Sequence, residues 1–371
     1  MKVGIVVPYS WSYWGGVNEH VELKVEALRG LGIDTRTIMG HDPPGSFTRV
    51  LHPRHGRHGR PPADVIPVGR SVIVPANGAL PNVVLSPSAV PRMKRTLRRE
   101  RFDVLHLHEP MTPVLCVAAL SWATCPVVAT FHASGQLAWN ALGEPVWGFL
   151  MERIDHRIAV SEAARVSAAR WFPGEYELIP NGTLIPQQAD AGGREHRLVF
   201  IGRHDPRKGM PVLLRAWPEI HRRTGAGLRI VGADPLMVRL ALARLGVDGT
   251  GIEPLGFLSQ EALTDELLTA KALITPSLGG ESFGMVLTRG FGCALPVIAS
   301  DITGYRDVMT DETGVLVPPG DPGALADAAE TLLADEPRRQ RLGEAARRLA
   351  QERYAWDRIA RRLADIYEEL V

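Results

Sequence analysis

The sequence has little cysteine, no surplus of either charge and no long apolar run. Its three cysteines, Cys116, Cys125 and Cys293, are odd in number, stand in apolar surroundings and form no Cys-x-x-Cys. That speaks against a disulfide framework or a cysteine metal site and for reduced core thiols in a cytosolic protein. Lys and Arg number 42 against 41 Asp and Glu, so the chain lacks the cationic excess of a nucleic-acid binder and any basic surface must be local. No nucleic-acid partner is expected. No apolar stretch approaches the roughly 20 residues of a membrane span, and the opening run Lys2-Val3-Gly4-Ile5-Val6-Val7-Pro8 is too short for a signal-peptide core. These absences leave a cytoplasmic protein, or one held peripherally on the inner face of the cell membrane.

At 371 residues the chain exceeds the length at which one core keeps growing, so two domains are expected. Residues 3–8 read as a buried strand. They lead through Tyr9-Ser10-Trp11-Ser12-Tyr13-Trp14-Gly15-Gly16 into a helix whose Val21, Val25 and Leu28 share a face. This glycine loop is not Gly-x-Gly-x-x-Gly, so a nicotinamide-dependent enzyme loses its main support. Short apolar runs recur at 33–39, 64–68, 71–75, 103–107, 126–131 and 157–160. After a polar, glycine-bearing linker at 187–193 they restart at 197–201, 228–231, 252–255, 272–275, 296–299 and 314–317. Alternation with helical stretches predicts an α/β fold of two open sheets in tandem, with a cleft at their facing edges. The expected boundaries are 1–185 and 194–354. The tail, 355–371, carries Ile359, Leu363 and Ile366 on one helical face and is expected to cross back to the first domain.

Two histidine groups invite a metal reading. His52, His55 and His58 are evenly spaced, but the Gly and Pro around them deny the rigid geometry a metal needs, and a solvated loop is expected. His106 and His108 share one strand face and are expected to line a cleft rather than hold zinc. From Ser86-Pro87-Ser88 a helix is expected that carries Arg92, Lys94, Arg95, Arg98, Arg99 and Arg101 against Glu100 alone, with Val90, Met93 and Leu97 as a narrow apolar stripe. Two readings stand: a helix lying on an anionic membrane surface, and the solvated back of an ordinary helix.

The chemistry concentrates in Leu278-Gly279-Gly280-Glu281-Ser282-Phe283-Gly284-Met285-Val286-Leu287-Thr288-Arg289, which follows the strand at 272–275 and leads into a helical pattern. Glycines admit close approach to the backbone, helix-start amides favour phosphate oxygens, and Glu281 can accept hydrogen bonds from hydroxyls. A phosphorylated sugar satisfies all three. Arg203 and Lys208, five residues apart after the strand at 197–201, can place two cations on one diphosphate. No Asp-x-Asp metal pair is evident in either loop, so no metal ion and no cofactor are expected.

Together these stretches resemble the retaining family 4 glycosyltransferases of GT-B fold, and within them the phosphatidylinositol mannosyltransferases. The resemblance spans nearly the whole chain. It rests on Pro8-Tyr9-Ser10 with Gly15-Gly16-Val17, on Phe102-Asp103-Val104-Leu105-His106-Leu107-His108-Glu109-Pro110 and on Val128-Ala129-Thr130-Phe131-His132. Ile158-Ala159-Val160-Ser161, Ile179-Pro180-Asn181-Gly182, Pro206-Arg207-Lys208-Gly209-Met210 and Gly279-Gly280-Glu281-Ser282-Phe283-Gly284 complete it. The resemblance implies two Rossmann-like domains, the first for the acceptor and the second for the nucleotide sugar. It also implies that Gly15 and Gly16 approach the donor diphosphate, that Arg203 and Lys208 clamp it, and that His132, Glu281 and the Ser282, Phe283 and Gly284 amides hold the transferred sugar. Tyr9, Asn18 and Asn77 fall to the acceptor. Two positions depart from the pattern. Arg289 stands where the family carries a ribose-binding Glu, and Asn82 stands where the mannosyltransferases carry an Arg. The implied activity is metal-independent hexosyl transfer, mannose from GDP-mannose foremost, to a lipid-linked or polyol acceptor. A UDP-sugar transferase with a soluble acceptor and a degenerate sugar-nucleotide or partner-binding module remain as alternatives.

Overall fold

The computed structural model describes residues 1–13, 15–46, 48, 59–74, 81–132, 144–189 and 193–371. His52, His55, His58 and Asn77 lie outside the described residues. The chain divides into two compact units, one of Met1–Gly182 with Trp356–Val371, the other of Thr183–Ala355.

The first unit is built on the strands β1 (Lys2–Ser10), β2 (Asp34–Gly40), β3 (Val65–Gly69), β4 (Ser71–Ile73), β5 (Asn82–Val84), β6 (Val104–His108), β7 (Val127–Phe131), β8 (His156–Ala159) and β9 (Glu177–Leu178). Its main sheet runs β3-β2-β1-β6-β7-β8-β9 and is parallel throughout, while β4 and β5 form an antiparallel flap joined to β1. Parallel strands are covered on both faces, so they read as unbroken apolar runs. In β1 the alternation shows directly: Val3, Ile5 and Val7 enter one core cluster and Val6 the other. On the side of Val3 and Ile5 lie the helices Gly16–Gly30 and Trp356–Leu370, which pack against each other. The terminal helix buries Ile359, Leu363 and Ile366, the face expected from the sequence, together with Trp356 and Tyr367. Gly182 makes room for it, since a Cβ there would lie 2.4 Å from the Trp356 ring.

In the second unit the strands are β10 (Arg197–Ile201), β11 (Gly227–Val231), β12 (Ile252–Gly256), β13 (Ala272–Thr275), β14 (Val297–Ser300) and β15 (Gly314–Val317), in the order β12-β11-β10-β13-β14-β15, all parallel. This is the doubly wound order in which the sheet reverses direction between its first and fourth strands. Each sheet has such a switch point, β1/β6 in the first unit and β10/β13 in the second, and ligands bind beyond the carboxyl ends of strands there. Among the described residues no helix is long and apolar enough to cross a membrane. All three cysteines are free, with Cys116 and Cys293 buried and Cys125 half-buried.

Candidate active site

The loops leaving β10 and β13 are laced together at the second unit's switch point. After β10 the chain turns through Pro206–Lys208, a single 3-10 turn, into the helix Met210–Thr224. Asp205 organises the turn: its carboxylate accepts from the Arg207 backbone N–H at 3.0 Å and from Arg207 Nη2 at 2.7 Å. Burial works to raise the Asp205 carboxyl, but the Arg207 bonds outweigh it and hold it below its usual range. Arg207 then reaches the other loop, donating from Nη1 to the Gly280 carbonyl at 3.2 Å, while Leu278 N–H donates to the Arg207 carbonyl at 2.7 Å. Gly209 permits the closest approach. It lies in the left-handed region, at φ 70°, and a Cβ there would be 1.7 Å from the Pro276 carbonyl oxygen.

This lacing brings Lys208 and Glu281 together. The ammonium lies 2.7 Å from Glu281 Oε1, and both side chains are largely shielded from solvent. The pair is an ion pair without hydrogen-bond alignment, because Glu281 Oε1 has no aligned donor. Gly304 seats the loop from below, since a Cβ there would meet the Glu281 carbonyl at 1.9 Å. Gly284, at φ 78°, caps the helix Met285–Gly292, with Phe283 buried edge-on against Tyr354 and Ser282 half-buried. Arg203 is exposed on the β10 loop. Arg289, on the next turn of the helix, donates from Nη2 to Gln260 Oε1 at 2.6 Å. Burial draws its guanidinium down to about 10, so it stays charged at neutral pH.

In the first unit His132 follows β7 and belongs to a buried cluster of imidazoles. His132 Nε2 is 2.7 Å from His108 Nδ1, and His132 N–H donates to Glu109 Oε1 at 2.9 Å. Glu109 holds a left-handed backbone at φ 50°, a conformation unusual for a residue with a Cβ. Burial, and after it the nearby Lys24, pulls His132 down to about 3, so the imidazole is neutral. His106 and His108 do not line an open cleft as expected. Both are fully buried and stacked on each other at 5.0 Å, and His106 is bonded to Thr130 Oγ1 and to the Tyr367 hydroxyl, each at 2.6 Å.

At the β1 loop Gly15 is extended at φ −168°, and a Cβ there would meet nothing within 4 Å. Nothing in this unit's own packing demands a glycine there. Gly16, exposed, begins the helix. Asn18 is buried and braces the loop, donating to the Ser10 and Tyr13 carbonyls at 2.8 and 2.9 Å, while its Oδ1 has no partner. Tyr9 pairs with Val83 of β5, and burial together with the Glu109 carboxylate pushes its phenol well up, keeping it a hydrogen-bond donor. Asn82 opens β5, also with a buried, unpartnered Oδ1.

The basic helix is Ala89–Glu100. Met93 and Leu97 are buried and turn toward the core, where the helix packs on Leu115–Trp122, so the apolar stripe is not available to a bilayer. Arg92, Arg95, Arg98, Arg99 and Arg101 are exposed, Arg99 paired with Glu100 at 2.7 Å, and Lys94 lies over the Trp122 ring at 5.1 Å. What remains for a membrane is charge alone.

Sequence reasoning missed His20 and Lys24, whose i,i+4 spacing on the same helical face as Val21 and Val25 was the available signal. It also missed Asp205, Gly209 and Gly304, whose partners are distant in sequence. Among the described residues His20, His108 and His132 are the group spaced for a metal ion, with ligand atoms within 4.8 Å of one another. Two of those atoms are already bonded to each other, and the group has no carboxylate.

A glycosyltransferase family 4 model matches residues 14–183, and a glycosyl transferases group 1 model matches residues 195–335. A phosphatidyl-myo-inositol mannosyltransferase of Mycobacterium leprae is 35% identical over 99% of this chain and 96% of its own. Among solved structures, sucrose-phosphate synthase from Thermosynechococcus elongatus superposes with a TM-score of 0.75 at 23% identity, covering 100% of this chain and 98% of that one. Anabaena HepE in complex with UDP-glucose gives 0.72 at 19% identity, with both chains covered in full.

Proposed function

The chain belongs to the family 4 glycosyltransferases and is a hexosyltransferase, and from that premise we propose that it transfers mannose from GDP-mannose to a lipid-linked or polyol acceptor, with retention of configuration and without a metal ion. The observation that carries the proposal is the Lys208–Glu281 pair at the β10/β13 switch point. Lys208 and Arg203 take the donor diphosphate, helped by the amides of Ser282, Phe283 and Gly284, and Glu281 accepts hydrogen bonds from the sugar hydroxyls. In the reaction the bond from C1 of the sugar to the diphosphate oxygen breaks, and a bond from C1 to the acceptor oxygen forms on the same face. The acceptor hydroxyl proton passes to the departing phosphate oxygen. By the family resemblance His132 is assigned to the transferred sugar and Gly15 and Gly16 to the donor diphosphate. Tyr9 and Asn18 contact the acceptor. The mannose and the lipid acceptor are supported by the Mycobacterium leprae relative, a phosphatidyl-myo-inositol mannosyltransferase matched over nearly its whole length. The exposed arginines of Ala89–Glu100 hold the enzyme at an anionic membrane surface.

Titration with GDP, UDP and ADP tests the donor site, followed by assay of mannose transfer from GDP-mannose to phosphatidylinositol in vesicles. GDP should bind tightest, and Lys208→Ala should weaken it by about 10-fold or more, as loss of a charged hydrogen bond does. Preference for UDP overturns the donor. A folded protein that binds no nucleoside diphosphate overturns the transferase mechanism.

A further inference from the structure

Lys24 is buried in the first unit, and among the described residues its side-chain partners are two imidazoles rather than a carboxylate: His108 Nε2 at 2.9 Å and His106 Nε2 at 3.4 Å. We propose that Lys24 and His108 are positioning residues for His132, forming a one-way hydrogen-bond relay that fixes the His132 tautomer with its proton on Nδ1. The functional half of this inference rests on the reading above, in which His132 contacts the transferred sugar.

The direction of the relay follows from the donor inventory. As an ammonium Lys24 has donors only, so His108 Nε2, 2.9 Å away, accepts from Nζ. A neutral imidazole carries one proton, so that of His108 is on Nδ1 and points at His132 Nε2, 2.7 Å away. His132 Nε2 therefore accepts, and its own proton is on Nδ1. Without the relay, an imidazole in water favours the opposite tautomer. Burial, the first cause, lowers Lys24 and His108 well below their ordinary values, and His132 to about 3, which keeps the imidazoles neutral. His106 Nε2 is 3.4 Å from Nζ and only 2.6 Å from Thr130 Oγ1, its Nδ1 facing the Tyr367 hydroxyl, so His108 is the principal acceptor of Lys24. His20 is edge-on to His132 at 5.1 Å and its Nδ1 has no partner, so it packs beside the relay without joining it. Glu109 fixes the other end through the His132 backbone N–H. A fixed neutral donor is what a sugar hydroxyl oxygen can use, with no reorganisation at the moment of binding.

The test is imidazole-nitrogen NMR of the full chain carrying isotope-labelled histidine, at neutral pH, with His108→Phe and His132→Phe spectra to assign the signals. In the unmodified protein His108 and His132 should both carry the proton on Nδ1. In Lys24→Met, His108 loses its donor and both rings should change to the Nε2–H tautomer. Turnover should then fall about 10- to 100-fold, as when an orienting partner is lost, with the donor KM within about threefold. His132 should also revert in His108→Phe. An Nε2–H His132 in the unmodified protein overturns the relay without needing any variant to fold. So does an unchanged Nδ1–H tautomer in folded Lys24→Met. If the tautomers change but turnover does not, the relay exists, His132 has no part in transfer, and the positioning role is refuted together with the reading of His132.

Discussion

Replacing Gly209 by Ala should damage the second unit's fold and its donor site together. At φ 70° a Cβ on residue 209 would lie 1.7 Å from the Pro276 carbonyl oxygen and 3.3 Å from Ser277 N, whereas real Cβ contacts essentially never fall below 3.0 Å. The two loops must part by more than an ångström. That breaks the Leu278-to-Arg207 backbone bond and separates Lys208 from Glu281. A left-handed alanine costs about 1–3 kcal/mol and the overpacking a similar amount, so about 2–6 kcal/mol in all. For a unit of this size the melting temperature should fall by about 5–15 °C, and GDP affinity by about 10-fold or more. Gly15→Ala is the matched contrast. Its extended backbone suits any residue and its Cβ meets nothing within 4 Å, so stability should change by less than about 0.5 kcal/mol while donor binding falls. Thermal melts and GDP titration of both variants decide the matter. A Gly209→Ala protein that melts and binds like the parent refutes the argument from loop contact, and normal donor binding by Gly15→Ala shows that no ligand needs the open space.

Arg289→Glu restores a carboxylate that can accept from ribose hydroxyls and from the Gln260 amide, and should raise nucleoside-diphosphate affinity by about 10-fold or more; weaker binding with a lower melting temperature would falsify this. Changing Arg92, Arg95 and Arg98 to Ser should abolish binding to acidic vesicles at low salt, and rising salt should do the same to the unmodified chain; equal binding to neutral vesicles marks a solvated helix. The first unit should lose stability in acid. His20, His106, His108 and His132 are all lowered in the folded state, chiefly by burial, so the unfolded chain binds more protons. Their contribution is complete above the ordinary histidine value near ~6.5 and is lost as pH falls from there toward the folded values, about 3 for His132, at about 1.4 kcal/mol per pH unit for each histidine. Melts across that range should show a smaller slope in His106→Gln, and an unchanged slope refutes the assignment.

The sheets were legible because strands covered on both faces are unbroken apolar runs, and β10, β13 and β15 begin and end where their sequences suggest. The terminal helix was legible for a related reason: Ile359, Leu363 and Ile366 recur at helical spacing, and all three are buried. β5 and β9 were not, being three and two residues long, too short to establish a period. Lys24 was hidden by its chemistry. A lysine on a helix is ordinarily solvated, and only the arrival of His106 and His108 from a strand 82 and 84 residues away makes its burial tolerable. Gly209 and Gly304 were hidden in the same way, since the backbones they accommodate, at Pro276 and Glu281, lie on other loops. Local pattern reports the faces an element buries. It does not report which distant polar group will meet them.

The two units use one topology for different electrostatic ends. In the first, the residues beside the switch point are neutral imidazoles, kept so by burial, and they bring no net charge toward a ligand. In the second, the loops after the corresponding strands hold opposite charges that face each other. An unpaired cation in so shielded a place would be costly, and Glu281 offsets that cost. On the proposed function an entering diphosphate exchanges one anion for another at Lys208 and frees the carboxylate for the sugar attached to it. Binding of phosphate and of sugar is then coupled through a single pair, so a nucleoside diphosphate lacking the sugar leaves Glu281 without a donor and gives up part of the affinity the intact donor gains.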